Sequence, residues 1–451
     1  MSVEKKLQDT AQQLLDHAMA AGATSADVVA TRSTDFEVKV CDGKIVTLTE
    51  AVAKGIGLRV FVDKQLGFCL TSDFRNDTLK DVAQTAVDLA KESADDPHNG
   101  LPDAEAEFST DLELDLYDAD IPALSTEEKI RMAHTLEEAA RATDPRVKKF
   151  RDSGVSSGEA SSVMLSSKGV QRQISGTGIS LWCNPIAESD GQLQTEVWYD
   201  SRTHLEDLES PESVGRIAAQ RAARMLGAKP VKTQNVPIIL EPHMAAGFVC
   251  SMIGAMDGDM VFKKASFLAD KLDSTIAVPG LSLIDDPHLV RGTGSAPFDG
   301  EGFATYRKDL LAAGTLKTFL YDTYTARKAG KTANASAKRG YASMPHPGTF
   351  NVYIPAGNDE REEILASADK ALLLTRGMGR GLNGVTGDYS RGANGLWLEK
   401  GEVVHPVQEV TIAGDYLQML QNIDAIGTDL TMRGSAGAPT LRIADVTVSG
   451  N

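Results

Sequence analysis

Between Val236 and Asp259 the chain reads VPIILEPHMAAGFVCSMIGAMDGD, and few folds can accommodate such a stretch. Val236–Leu240 is a short apolar run rich in β-branched residues, the pattern of a buried strand. Glu241-Pro242 ends it, and proline is well tolerated in the first turn of a helix. From His243 to Met256 there is no charged side chain and no further proline. The composition predicts a helix buried on nearly every side, at the centre of a domain, stopped by Asp257-Gly258-Asp259. Hydrolases place metal ligands on such helices as two His on one face beside a Glu. Here the helix offers one thiol and one imidazole. His243 and Cys250 are seven residues apart, roughly 10 Å of rise, too far for one ion. On residue chemistry alone this is a structural core helix.

With 451 residues the chain is too long for one ordinary core, and two or three domains are expected. The polar start, MSVEKKLQD, lacks the apolar core of a signal peptide. The uncharged run falls short of the ~20 residues that cross a bilayer. Cys41, Cys69, Cys183 and Cys250 are scattered without a CxxC, as reduced thiols of a cytoplasmic protein would be. Net charge is −17, and thirteen acidic residues with no Lys or Arg fall between Lys91 and Lys129. No basic stripe exists to replace phosphate counterions, which argues against direct nucleic-acid binding.

Residues 3–22 read as an amphipathic helix with Leu7, Ala11, Leu14, Leu15 and Ala18 on one face. Residues 27–72 turn to strand character, with turns at Asp42-Gly43 and Asp63-Lys64, and 76–93 return to helix. In the acidic segment 94–124, Asp111-Leu-Glu-Leu-Asp-Leu116 alternates acid with leucine, as a charge-guarded edge strand would. Ser125-Thr-Glu-Glu128 is a capping box opening a helix to about Thr143. A β-rich run over 147–200 and a helix over 211–226 repeat the order helix, strands, helix. Beyond Pro297 the chain is mostly β, with a hairpin at Ala313-Gly314 and a short helix over Thr323–Ala329. The expectation is an α+β protein: a mixed helix and antiparallel-sheet N-terminal half and a β-dominated C-terminal domain around one buried helix. Its units are 1–93, the linker or edge 94–124, 125–230 and 231–451.

Two motifs invite chemistry and lack the context for it. Gly154-Val-Ser-Ser-Gly158 matches GxSxG, but strand-like residues follow where a nucleophile elbow needs a helix, so it reads as a turn. Gly379-Arg-Gly-Leu-Asn-Gly384 matches GxGxxG, but Val-Thr-Gly-Asp-Tyr-Ser-Arg-Gly cannot sustain the helix a dinucleotide requires. The eight histidines are dispersed, and none pairs with another at i+4.

Five segments carry a resemblance: Ser295–Gly302 (SAPFDGEG), Leu320–Lys328 (LYDTYTARK), Val385–Gly392 (VTGDYSRG), Pro406–Gly414 (PVQEVTIAG) and the closing Thr440-Leu-Arg-Ile443. Together they make the chain similar to the TldD/PmbA family of bacterial metallopeptidases, and to its PmbA (TldE) branch. In this family the TldD branch carries an HExxxH helix ending in Glu-Gly-Asp, plus a cysteine near the C-terminus, as zinc ligands. The resemblance lays that helix over the opening stretch. Val249 takes the first His position, Cys250 the Glu position and Gly254 the second His position. The segment Leu430–Gly437 lacks the expected cysteine.

The resemblance therefore implies no catalytic and no metal-binding residue in this chain. It implies a non-catalytic subunit pairing with a TldD-type metallopeptidase subunit that holds the zinc, and unfolded peptides as substrates. The family's roles include maturing a peptide antibiotic and degrading an antitoxin. In isolation the chain could pair with itself. Gly384, Gly387, Tyr389 and Ser390 are the expected peptide-facing surface. Two alternatives stand beside this reading. One is a regulatory protein, such as a modulator of DNA gyrase, acting through Asp111, Glu113 and Asp115. The other is an independent peptidase with Ser156 or Cys250 as nucleophile.

Overall fold

The computed structural model describes residues 3–103, 112–379 and 381–450. The N-terminal half begins with α1 (Val3–Ala20), β1 (Ser25–Cys41), β2 (Lys44–Val62), β3 (Gln65–Thr71) and α2 (Asn76–Glu92). It continues through α3 (Asp120–Ala123), α4 (Thr126–Thr143), β4 (Val147–Ser166), β5 (Gln171–Ser189), β6 (Gln192–Thr195), β7 (Trp198–Arg202) and α5 (Pro211–Arg224). All seven strands form one sheet in the order β3-β2-β1-β4-β5-β6, with β7 beside β5. The two helix–strands–helix runs thus meet at an antiparallel β1–β4 pair.

Alternation decides which face the helices cover. Ala26, Val28, Ala30, Phe36, Val38 and Val40 of β1 point to one side and are buried. The first three pack against α1 and α2, the last three against α4 and α5. The five apolar residues expected to face inward on α1 are all buried. Ser125 and Glu128 form the expected capping box of α4. Asp42 and Gly43 both adopt left-handed backbone, so a two-residue turn joins β1 to β2.

The C-terminal half runs β8 (Gln234–Leu240), α6 (Pro242–Cys250), a 3-10 turn (Ile253–Met256), α7 (Gly258–Phe262), β9 (Leu283–Asp285), β10 (Lys308–Ala312), β11 (Thr315–Leu316) and α8 (Thr323–Ala329). A ribbon of β12 (Ala337–Lys338) and β13 (His346–Pro347) precedes β14 (Val352–Tyr353), α9 (Arg361–Ala366), β15 (Lys370–Met378) and β16 (Asp388–Glu399). The chain ends in β17 (Glu402–Asp415), α10 (Tyr416–Gln421), β18 (Ile423–Ile426), β19 (Thr431–Arg433), β20 (Ala436–Ala438) and β21 (Leu441–Ser449). One six-stranded sheet has the order β17-β16-β15-β8-β21-β18, and a further β17–β21 pairing closes it on itself. The other has the order β11-β10-β9-β14-β20-β19. α6 packs against β8 and β15 of the first and against β19 and β20 of the second.

The α+β class and the central helix are as expected, with four local corrections. The helix ends at Cys250 instead of reaching Met256, and a 3-10 turn follows. Gly154–Gly158 is no turn; it lies in the middle of β4, paired on both sides. Leu112–Asp118 form no strand, and Asp111 lies outside the described residues. Leu114 is nonetheless buried between exposed neighbours, and the Leu114 and Leu116 carbonyls accept from Arg291 N (2.8 Å) and Thr177 N (3.0 Å). Beyond Pro297, expected to be mostly β, residues 349–355 pair as a strand only at Val352–Tyr353.

The sheet face away from the helices meets the C-terminal half through buried charge. Arg59 Nε donates to Asp27 Oδ1 at 3.1 Å, and Arg59 Nη1 lies 3.5 Å from Glu301 Oε1. Arg339 Nη1 approaches Asp27 Oδ1 at 2.8 Å. Burial opposes the charge on Asp27, and Arg339 and Arg59 overcome it, holding the carboxyl below its usual range. Beside this cluster Tyr341 fills a slot left by two glycines of β2. A Cβ on Gly57 would sit 1.8 Å from the Tyr341 carbonyl oxygen, and one on Gly55 2.0 Å from its ring. Arg59→Ala strands Asp27 and Glu301 in the interface. It should cost about 3–5 kcal/mol in urea unfolding, whereas Arg75→Ala, at an exposed pair, should leave the unfolding midpoint essentially unchanged.

Candidate functional site

The helix α6 leaves β8 at Glu241, whose carboxylate is turned away from the helix end. Its Oε2 accepts from Arg221 Nη1 at 2.7 Å and its Oε1 from Arg224 Nη2 at 3.1 Å. Along the helix one side is core: Met244, Ala245, Phe248 and Val249 are buried. Tyr416 locks this side, donating to the Phe248 carbonyl at 2.7 Å while its ring packs 4.8 Å from that of Phe248. The other side is open. A Cβ on Gly247 or Gly254 would meet no atom within 4 Å, and Cys250 and Ser251 lie half-buried between them. The expectation of burial on nearly every side misses this stripe, whose signal is the glycine spacing.

The positions that the resemblance assigns to zinc do not fit the metal. Val249 is 1% exposed and has no donor atom, and Gly254 has no side chain. Cys250 is the one donor among the three, and burial, which pushes its thiol up to about 11, opposes the thiolate that a metal needs. The β19–β20 hairpin, which holds the segment that lacks the cysteine, packs against α6 and brings a Met432 thioether and no thiol. Among the described residues no three His, Cys, Asp or Glu side chains are grouped to hold an ion.

The glycine-rich loop adjoins this open side. Phe267 N donates to the Gly384 carbonyl at 3.1 Å, and a Cβ on Gly384 would stand 4.0 Å from that of Ala255. Gly387 has φ +85° and packs on the Phe267 ring. Ser390 is exposed and donates its backbone N–H to the Gly381 carbonyl at 2.9 Å. The Tyr389 side chain is 3% exposed and stacked among Phe248 and Tyr416, so it supports the loop from beneath. Residues 381–384 open no helix.

A cleft of about 430 Å³ lies at the start of α6, lined by Trp198, Arg221, Glu241, His243, Arg361 and Arg433 among others. Trp198 is held between two guanidiniums, Arg433 at 3.8 Å and Arg221 at 4.8 Å from the ring centre. His243 Nε2 contacts the Thr375 carbonyl at 3.0 Å. Burial, aided by the Arg221 charge, lowers its pKa to about 4. Nothing in the sequence joins Trp198, Arg221, Glu241 and Arg433, which come from four separate elements.

The remaining candidates stand apart from α6. Ser156 lines a groove of about 700 Å³ on the N-terminal sheet whose described lining holds no histidine to act as base. Asp115 accepts from Arg291 Nε at 2.6 Å and lies 3.3 Å from His204 Nε2. Glu113 is exposed.

Family models describing the PmbA/TldA metallopeptidase domain 1, central domain and C-terminal domain match residues 26–90, 119–226 and 233–450. Metalloprotease PmbA of Escherichia coli O157:H7 is 30% identical over 427 residues, spanning 94% of this chain and 92% of that protein. A PmbA homolog of Haemophilus influenzae is 29% identical over 448 residues, 99% and 97% of the two chains. The crystal structure of a putative modulator of DNA gyrase from Bacteroides thetaiotaomicron superposes with TM-score 0.93 and 28% identity, covering 100% of both chains. TldE from Thermococcus kodakarensis shares the fold at TM-score 0.88 and 21% identity, over 98% of this chain and 100% of that one.

Two outcomes check the electrostatics. His243 is depressed in the folded state, so the unfolded chain takes up a proton first as pH falls. The stability it contributes is present above pH ~6.5 and is lost as pH drops towards about 4. Between pH 7.5 and 4.5, wild type should lose up to about 3 kcal/mol more in urea unfolding than His243→Gln. Cys250 should alkylate slowly at neutral pH, its rate rising to a plateau only near pH 11.

Proposed function

The chain belongs to the PmbA/TldD family of metallopeptidases, and from that premise we propose that it is a subunit without its own catalytic centre in a two-subunit peptidase. Its counterpart is a TldD-type chain that keeps the HExxxH helix and the zinc. The pair cleaves small unfolded peptides in the cytoplasm. The observation that carries this reading is α6 and the turn after it: the three positions resembling the zinc motif hold Val249, Cys250 and Gly254, and a single buried thiol is their only donor. Without ligands there is no Lewis acid and no bound water of lowered pKa.

What remains is a surface suited to chain in extended form. Gly247, Gly254 and Gly384 leave space along α6, and a peptide passing there is read by its backbone more than by its side chains. Among the comparisons, the gyrase reading draws on names alone, such as that of the Bacteroides protein. Two acids of the segment 94–124 are already engaged within the fold, Asp115 by Arg291 and Asp103 by Arg327.

The test is metal analysis and hydrolysis of an unstructured peptide, on the purified chain and on its mixture with a HExxxH-bearing family member. The expected result is well under one zinc per chain, no cleavage alone, and cleavage in the mixture exceeding that of the partner alone. Stoichiometric zinc on this chain, or cleavage by it alone, would overturn the reading.

A further inference from the structure

Asn-Gly occurs three times, at Asn99-Gly100, Asn383-Gly384 and Asn394-Gly395. Asparagine is thermolabile, and a following glycine has no Cβ to keep its nitrogen away from the side-chain amide. Reaction between the two still needs the side chain to fold back over its own peptide bond, so the fold selects among the three. Asn394 lies inside β16, with β15 and β17 on its flanks, and its Oδ1 accepts from Glu409 N at 3.2 Å. A Cβ on Gly395 would sit 2.3 Å from the Leu373 carbonyl oxygen, so this strand has no room to turn. Asn99 is clamped on both sides. Its Nδ2 donates to the Lys64 carbonyl at 3.0 Å, and its carbonyl accepts from Lys64 Nζ at 2.8 Å. Arg327 Nη1 holds the Gly100 carbonyl at 3.0 Å.

Asn383 is the opposite case. It is exposed, in the loop between Leu382 and Tyr389, which bridge each other. Its Oδ1 accepts from Val385 N at 3.0 Å and from Thr386 N at 3.4 Å. This is an Asx turn: the side chain curls over the following peptide as a backbone turn would, and carries Cγ towards Gly384 N. Among the described residues neither Gly384 N nor Asn383 Nδ2 has a hydrogen-bond partner. We propose that Asn383-Gly384 is a site of spontaneous deamidation in the folded chain, and that the fold protects the other two pairs.

The chemistry needs only water. Gly384 N gives its proton to solvent and attacks Asn383 Cγ. The Cγ–Nδ2 bond breaks, and the nitrogen leaves as ammonia, taking a proton back from solvent. The two N–H groups on Oδ1 stabilise the negative charge that gathers there during the attack. The cyclic imide then takes up one water and opens to aspartate, or to isoaspartate, in which the main chain runs through Cβ and Cγ. Either product adds a negative charge to a loop that already holds Asp388. Isoaspartate also lengthens the backbone just before Gly384, whose carbonyl accepts from Phe267 N, and so shifts the loop beside the open side of α6. On the peptidase reading this alters the peptide-facing surface; the chemistry itself does not rest on that reading.

The experiment incubates the full chain at mildly alkaline pH, warm but below its melting point, and follows three tryptic peptides by mass and by isoaspartate content. Glu92–Lys129 holds Asn99, Gly381–Arg391 holds Asn383, and Gly392–Lys400 holds Asn394. In the folded chain Gly381–Arg391 should gain isoaspartate while the other two peptides keep their asparagine. In urea, where the fold no longer selects, all three should convert. Gly384→Ala should lose most of the conversion with thermal melting unchanged. A Cβ there stands 4.0 Å from that of Ala255, and the glycine lies outside the left-handed region. An Asn383 that stays intact in the folded chain, or converts no faster than Asn99 or Asn394, overturns the proposal. So does a Gly384→Ala variant that converts at the wild-type rate. The readouts are masses and isoaspartate, so failure here leaves the peptidase reading untouched.

Discussion

Asp27, Arg59, Glu301 and Arg339 form a charged cluster with almost no access to water, between the N-terminal sheet and the C-terminal half. Charges are expensive to bury, and such a cluster survives only where each member is held by others. The surrounding chain supplies that hold. Glu301 Oε2 accepts from Thr323 N at 2.7 Å, at the start of α8. From α8, Tyr324 donates to Asp96 at 2.9 Å, and Arg327 reaches the carbonyls of Gly100 (3.0 Å) and Leu101 (2.7 Å). Two of the segments that carry the family resemblance, Ser295–Gly302 and Leu320–Lys328, thus place their polar residues on the seam between the halves. Their sequence is constrained by docking, apart from any chemistry at α6.

The same seam fixes the geometry around α6. Lys328 Nζ bonds Asp259 Oδ1 at 2.8 Å, and Gly258 N donates to the Leu320 carbonyl at 2.9 Å. Gly258 has no room for a side chain, since a Cβ would lie 2.3 Å from the Tyr321 ring. The segment after α6 is therefore pinned to α8, and α8 to the N-terminal half. An altered seam would move the open side of α6, although none of the seam residues lies on it.

Local pattern made much of this legible. Helical periodicity located α1, α2, α4 and α5 to within a few residues, and Asp42-Gly43 and Ala313-Gly314 marked hairpins. What stayed hidden is non-local. The sequence cannot show that Arg59 meets residues of another domain, or that Trp198 lies between Arg221 and Arg433. Gly154–Gly158 looked like a turn because glycine and serine are turn formers. In β4 those small residues are flanked by strands on both sides, and a Cβ on Gly154 would press to 2.4 Å from Trp182. The acid–leucine alternation of 112–116 placed one leucine, Leu114, in the core while Leu112 is exposed, and no ladder forms, because an alternating pattern reports faces and not partners.

The break in α6 follows from the same spacing that defines the family's metal helix. In HExxxH the two histidines are five residues apart, which on a straight α-helix sets them about 140° from each other. Such a pair can converge on one ion only if the helix changes course between them. Here the corresponding residues are Val249, turned into the core, and Gly254, open to solvent, and the α-helix gives way to a 3-10 turn between them. The backbone thus bends between these two positions, one an apolar valine and the other a glycine. Val249 packs in the core and Tyr416 grips the Phe248 carbonyl, and these contacts hold the helix where it bends. Putting histidines back at 249 and 254 would not restore a site by itself. A histidine at 249 would first have to leave a buried position where its ring has neither space nor a partner.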